Sequence, residues 1–122
     1  MKNLRLPSVI FSLLLGSIAT AGASANTLAT VTSAGQLHGV LDSCQFFETL
    51  PKMTLQRVSD YLIQTTLTTD NTEHHVAWVE ARVEGRQYAD RLHSANSSLH
   101  DAKCHGIVES FWSGTLPTIN RG

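Results

Sequence analysis

The sequence lacks the short motifs that identify many common enzymes. Its 122 residues contain no CxxC pair, no HExxH zinc motif, no GxSxG nucleophile turn and no glycine-rich phosphate loop. Such motifs supply thiol redox centres, metal ligands, nucleophiles and phosphate-binding backbone. Glu80 and Glu84 have the spacing of paired carboxylates, but the interleaved Arg82 and Arg86 are typical of a solvated helix face. The sequence therefore predicts no catalytic residues, no cofactor and no enzymatic activity.

A hydrophobic run long enough to span a membrane is also missing, although a shorter one lies near the N-terminus. Basic residues precede the apolar segment 9–15, and Ala-Ser-Ala at 23–25 has the small-residue pattern of a signal-peptide cleavage site. A membrane-spanning helix needs about 20 apolar residues. We therefore expect residues 1–25 to be a signal peptide and residues 26–122 to be a single small helical domain. The mature protein is expected in the periplasm or outside the cell, without stable membrane insertion.

Basic charge is scarce in the predicted mature chain. The full sequence has nine Lys and Arg residues against ten Asp and Glu residues. Cleavage after Ala25 removes Lys2 and Arg5 and no acidic residue, so seven basic residues remain and the net charge becomes −3. Nucleic acids and anionic membrane surfaces are bound by clustered lysines and arginines. The composition therefore argues against a nucleic-acid partner, and another protein is the expected partner.

Only two cysteines occur, Cys44 and Cys104. In an oxidising compartment an even number of cysteines is typical of a structural disulfide. Redox pairs are usually close in sequence, whereas these two residues are far apart. Closing the loop of about 60 residues between them would stabilise the fold by about 4 kcal/mol. The sequence therefore predicts a Cys44–Cys104 disulfide that encloses most of the domain.

Hydrophobic periodicity predicts an all-α fold, a small bundle of about four helices. The predicted helices cover approximately residues 33–49, 54–66, 72–95 and 99–113. Residues 79–86 alternate between apolar and charged side chains, which is the period of a half-buried strand. An α+β fold with a hairpin around residues 63–84 therefore remains as an alternative.

Polar residues predict where these helices begin. Asp70 with Glu73, and Ser98 with Asp101, have the spacing of capping boxes, so Asp70 and Ser98 are the expected N-caps of the last two helices. Residues 26–32 are small, polar or β-branched, and we expect them to be a frayed terminus.

The third predicted helix has two apolar stripes, of which one contains Trp78. The other consists of Val76, Val79 and Val83, and is called the valine stripe below. A small domain cannot easily bury two stripes of one helix. We therefore expect this helix to be the central one, and the alternative is a valine stripe that meets a partner chain, including a homo-oligomer.

The sequence contains six histidines, which suggest a metal site as a hypothesis: His38, His74, His75, His93, His100 and His105. His38 falls off the apolar face of its helix and is expected to be solvated. His100 and Cys104 lie one helical turn apart, but a disulfide would remove Cys104 as a ligand. No metal site is therefore predicted. The histidines favour a pH response instead, because their protonation near pH 6.5 would change the mature net charge from about −3 to about +3.

The segment Cys44-Gln45-Phe46-Phe47 resembles a motif of the acid-stress periplasmic chaperones of the HdeA type. In those proteins the first cysteine also precedes an aromatic residue. The resemblance covers this motif and the layout of signal peptide, helices and one disulfide, with a longer loop between the cysteines here. Periplasmic immunity proteins are similar in size and cysteine use. The predicted function is a small exported protein-binding module, such as an inhibitor, immunity-type or envelope-stress protein. The alternative is an exported protein that binds a metal or small ligand through its histidines.

Overall fold

The computed structural model describes residues 27–67 and 70–116, so the predicted signal peptide lies outside the described residues. Within these ranges the chain forms four helices and no strand: α1 (Leu28–Phe46), α2 (Lys52–Thr66), α3 (Thr72–Ala95) and α4 (Ser97–Trp112). The predicted all-α fold is confirmed, and the alternative hairpin is wrong. None of these four helices is long and apolar enough to cross a membrane.

Helix α3 forms where the hairpin was considered because its apolar residues align on one face at helical spacing. Trp78, Ala81, Gly85 and Ala89 are all buried along this face. The charged residues that gave the alternating pattern are good helix formers and lie outside this buried face. The apolar positions of residues 79–86 therefore belong in turn to the buried face (Ala81, Gly85) and to the exposed valine stripe (Val79, Val83).

Helix α1 is the central helix of the bundle, since it packs against all three other helices and most extensively against α3. Its buried residues lie on several sides, and they include Val31, Leu41 and Cys44. On α2, the amphipathic series Leu55, Val58 and Leu62 completes the core. The prediction that α3 is central is therefore wrong.

Glycines allow α1 and α3 to approach each other closely. A methyl group added to Gly39 of α1 would overlap the carbonyl oxygen of Arg82 on α3. A methyl group added to Gly85 of α3 would overlap the carbonyl oxygen of Gln36 on α1 in the same way. The two backbones therefore touch directly, and side chains at these positions would force the helices apart.

Three side chains cap the helices at their N-termini. Thr27 accepts a hydrogen bond from the backbone N–H of Thr30 at 3.0 Å, so α1 begins before the predicted start and residues 28–32 are helical, not frayed. Asn71 caps α3 through the N–H of His74 (3.1 Å). Asn96 caps α4 in the same way through the N–H of Leu99 (3.0 Å). Asp70 and Ser98 are therefore not the N-caps, because Asn71 takes that position for α3 and Asn96 takes it for α4.

Helices α1 and α4 end in the same backbone motif. After α1 the N–H of Thr49 donates to the carbonyl of Cys44, and the N–H of Glu48 donates to that of Gln45. This is the Schellman pattern, which requires a left-handed residue just beyond the helix. Glu48 takes that position with a φ of 54°, and Gly114 takes the equivalent position after α4 with a φ of 74°. Only Gly114 adopts this conformation without a steric cost.

Candidate functional site

A disulfide joins Cys44 of α1 to Cys104 of α4, as the sequence predicts. Both residues are fully buried within the apolar core. The bond therefore fixes α4 to the central helix, and α2 and α3 lie in the loop that it closes.

A chain of polar side chains lies beside the disulfide. The hydroxyl of Ser43 donates to Oδ1 of Asp90 on α3 at 2.7 Å. The Ser43 oxygen itself lies 3.0 Å from Nε2 of His100 on α4. His100 is only 1 % exposed, and its Nδ1 lies 3.8 Å from Sγ of Cys104. One polar chain therefore connects α3, α1 and α4 next to the disulfide.

The hydrogen bonds of this polar chain of side chains determine the tautomer of His100. Ser43 has a single hydroxyl hydrogen, and Asp90 accepts it. Nε2 of His100 must therefore carry a hydrogen and donate it to the Ser43 oxygen. In the neutral ring, Nδ1 then carries a lone pair that faces the sulfur of Cys104. A disulfide sulfur has no hydrogen to donate, so this buried nitrogen has no donor there.

Two aromatic rings lie against His100. Phe47 stacks on His93, with ring centroids 3.6 Å apart and planes inclined by 8°. Both rings meet His100 edge-on, at centroid distances of 5.5 Å for Phe47 and 5.0 Å for His93. Phe47 and His93 are themselves half-buried, so they lie between buried His100 and the protein surface. Burial lowers the pKa of His100, the charge of His93 lowers it further, and Asp101 and Asp90 oppose the effect.

Ser43, His100 and Asp90 are the residue types of a hydrolase triad, but they are connected in a different order. In a catalytic triad the histidine lies between the serine and the carboxylate and takes the serine proton. Here the serine lies in the middle and gives its hydrogen bond to the carboxylate. Ser43 is also fully buried. This arrangement fixes side chains and does not activate a nucleophile.

His38 is a second buried histidine, so the prediction that it is solvated is wrong. It faces α3, where the indole N–H of Trp78 donates to its Nδ1 at 3.3 Å. Its Nε2 lies 4.0 Å from Oδ1 of Asp42. Burial lowers the pKa of His38, the positive charge of Arg82 lowers it further, and Asp42 and Asp60 oppose the effect. The central position of α1 explains the burial, since α3 packs against the side of α1 on which His38 lies.

Two ion pairs occupy the α1 side of α3. Arg82 binds both carboxylate oxygens of Asp42, at 2.6 Å and 3.1 Å, and this bond raises the pKa of Arg82. Arg86 binds Asp90 at 2.9 Å and places its guanidinium group over the ring of Phe46. Both arginines are therefore already paired with a carboxylate of this chain.

The valine stripe lies on the outer side of α3. Val76, Val79 and Val83 are 52 %, 60 % and 52 % exposed, and no other part of the described chain covers them. Arg82 and Arg86 border the stripe on one side. Glu80 and Glu84 border it on the other side, and Arg91 follows on that side about two helical turns beyond Glu84. Within residues 27–67 and 70–116, neither glutamate forms a salt bridge. The stripe is therefore an apolar surface with one neutralised edge and one acidic edge.

Comparisons with known proteins add no functional information. No family model, curated protein or solved structure matches this chain. The function must therefore be inferred from the contacts of its own residues.

The histidines that were considered as metal ligands lie mostly apart in the structure. His93 and His100 are brought together, whereas His74, His75 and His105 lie elsewhere on the helices. Among the described residues, the group with ligand spacing consists of Cys44, His100 and Cys104. Sequence reasoning missed Ser43 and Asp90, which are 47 residues apart and belong to no motif. The available signal was the position of Ser43 beside a buried cysteine on the central helix.

Proposed function

We propose that this chain is a small exported protein-binding module that docks another protein on the valine stripe. The observation that carries the proposal is the exposure of Val76, Val79 and Val83 on a helix whose other apolar face is buried. Three neighbouring valines at helical spacing form an apolar surface that an amphipathic helix or segment can cover. A non-enzymatic role agrees with the buried, inactive geometry of the serine, histidine and aspartate beside the disulfide.

The charges around the stripe indicate the chemistry of the partner. Asp42 and Asp90 neutralise the arginines on one edge. Glu80 and Glu84 leave the other edge negative, and the predicted mature chain has a net charge of −3. A partner segment with an apolar stripe and lysines or arginines along one side would therefore match this surface.

A second copy of the chain matches the surface less well. In a two-fold antiparallel pair of α3 helices, each edge of the stripe faces the same edge of the other copy. Glu80 and Glu84 would then face the glutamates of the second copy, and like charges across an interface are unfavourable. In a two-fold parallel pair the glutamates would face Arg82 and Arg86, which Asp42 and Asp90 already neutralise. A different protein with a basic edge is therefore the proposed occupant.

Site-specific photo-crosslinking tests this proposal. A photoreactive residue at position 79 of the oxidised protein is compared with one at Gln64, an exposed position of α2, in envelope extracts of the producing cell. We expect a discrete adduct from position 79 that is absent from position 64. The captured protein is then purified and titrated against the wild type, Val83→Asp and Glu80→Gln/Glu84→Gln.

The titration decides the outcome. Val83→Asp should weaken binding by at least about tenfold, which corresponds to roughly 1.4 kcal/mol. Glu80→Gln/Glu84→Gln should weaken binding and reduce its salt dependence. Identical adducts from both probe positions, equal affinities of the variants, or an adduct with a second copy of this chain would each overturn it.

A further inference from the structure

The cysteine–histidine cluster, which consists of Cys44, His100 and Cys104, has the geometry of a three-ligand metal site whose two sulfurs are joined. One ligand atom from each residue lies within 4.8 Å of the other two, and all three residues are buried. Nδ1 of His100 is 3.8 Å from Sγ of Cys104. Nitrogen and sulfur bound to one tetrahedral zinc ion lie about 3.6 Å apart. The histidine is therefore close to its coordinating position.

The polar chain supports this role of His100. Metal-binding histidines usually donate their second ring N–H to an oxygen, which fixes the tautomer and directs the free lone pair at the metal. Here Nε2 donates to Ser43, and Ser43 is held by Asp90. The lone pair on Nδ1 is consequently directed at the sulfurs, where the disulfide offers it no hydrogen.

We propose that reduction of the Cys44–Cys104 disulfide creates a binding site for a thiophilic divalent cation such as Zn²⁺. A dithiol reductant is oxidised to its own disulfide, the protein S–S bond breaks, and each cysteine sulfur takes one electron and one proton. The cation then displaces the two thiol protons and binds both sulfurs and Nδ1 of His100. The fourth position of a tetrahedral ion accepts water or an external ligand.

Phe47, at the end of α1, and His93, in the last turn of α3, form the rim of the cluster and are half-buried. Since the disulfide fixes α4 to α1, reduction removes the covalent restraint between these two helices. The bound cation restores a link between the same two helices, because its ligands come from α1 and α4.

Cobalt spectroscopy on the full chain tests this site, because Co²⁺ reports thiolate ligands through charge-transfer absorption. The protein is reduced with a phosphine, the reductant is removed, and Co²⁺ is added without oxygen. We expect one equivalent of Co²⁺ to give thiolate-to-cobalt absorption and the visible bands of a tetrahedral ion, and Zn²⁺ to displace it. The oxidised protein and Cys44→Ser/Cys104→Ser should give neither signal.

Three further variants distinguish the proposed ligands from unspecific thiol binding. His100→Gln keeps a donor near Ser43 but removes Nδ1, and Ser43→Ala removes only the support of the ring. Ser43→Ala should lower zinc affinity about 10- to 100-fold, and His100→Gln should lower it further. His105→Gln, at an exposed position of the same helix, should bind like the wild type.

Circular dichroism is recorded in every sample, so that binding to an unfolded chain is recognised. Loss of helical signal on reduction that zinc does not restore would overturn the proposal. The absence of a charge-transfer band from the reduced wild type, or equal zinc affinities of the wild type and His100→Gln, would overturn it as well.

Discussion

Gly39 of α1 lies directly against the backbone carbonyl of Arg82 on α3, with no room for a side chain between them. Gly39→Ala should therefore destabilise the protein by about 3 kcal/mol, because the added methyl group meets rigid backbone on a neighbouring helix. Urea unfolding of the wild type and the variant measures this difference.

Gly106 offers the matched control, since an added methyl group there has nothing within 4 Å. Gly106→Ala should stabilise the protein by about 0.5–1 kcal/mol, because alanine is the better residue in a helix interior. Equal effects of the two substitutions would mean that close contact between α1 and α3 is not important for stability.

The disulfide should provide a large share of the stability of this small domain. Cys44→Ser/Cys104→Ser is expected to lower the free energy of unfolding by about 4 kcal/mol, since the unfolded chain regains the freedom of a closed loop of about 60 residues. The measurement is chemical unfolding with a metal chelator present. A double variant as stable as the oxidised wild type would contradict this expectation.

Acid pH should destabilise the fold through two buried histidines. An unperturbed histidine titrates near pH 6.5, whereas burial lowers the pKa of both His38 and His100 in the folded protein. Between the folded and unfolded pKa values the unfolded chain therefore binds more protons. The contribution to stability is fully present above about pH 6.5 and is lost as the pH falls towards the folded pKa values.

Urea midpoints between about pH 7.5 and about pH 5 measure this dependence, and they should decrease as the pH falls. His38→Gln/His100→Gln should show a smaller decrease than the wild type. His105→Gln controls for loss of a histidine at an exposed position. A wild-type profile that stays flat over this range would rule out the two histidines as acid-sensitive groups.

Glu48 occupies the left-handed position after α1, where a glycine is usual. Glu48→Gly should therefore stabilise the protein by about 1 kcal/mol, since it removes the steric cost of a positive φ. At the equivalent position after α4, Gly114→Ala should destabilise it by a similar amount. Thermal unfolding measures both effects, and shifts of the same sign would contradict the interpretation.

Helical spacing was sufficient to predict four helices, because each of them buries at least one apolar stripe. The bounds of α3 agree with the prediction, since a polar segment precedes Thr72 and Asn96 follows Ala95. The start of α1 was missed because small residues and threonines show no clear periodicity. They are suited to a central helix that neighbours approach from several sides, which depends on packing and not on local sequence.

The candidate site was predictable only in part. Two cysteines in a chain that is expected to be exported were enough to predict the disulfide, because the pairing has no alternative. The polar chain was not predictable, since Ser43, Asp90 and His100 meet only after α1, α3 and α4 have packed. His38 was assigned to solvent for the same reason, because its burial depends on the position of α3 beside α1.

Asn96 ends α3 and begins α4. Its N–H donates to the carbonyl of Leu92 at 2.7 Å, and its side chain caps the next helix. Helices joined by one residue meet through local contacts, which form quickly, whereas α1 must dock through contacts distant in the sequence. We therefore expect α3 and α4 to associate early during folding and α1 to insert late. Cys44 then reaches Cys104 only after the central helix has docked, so the disulfide is expected to form as a late step of folding.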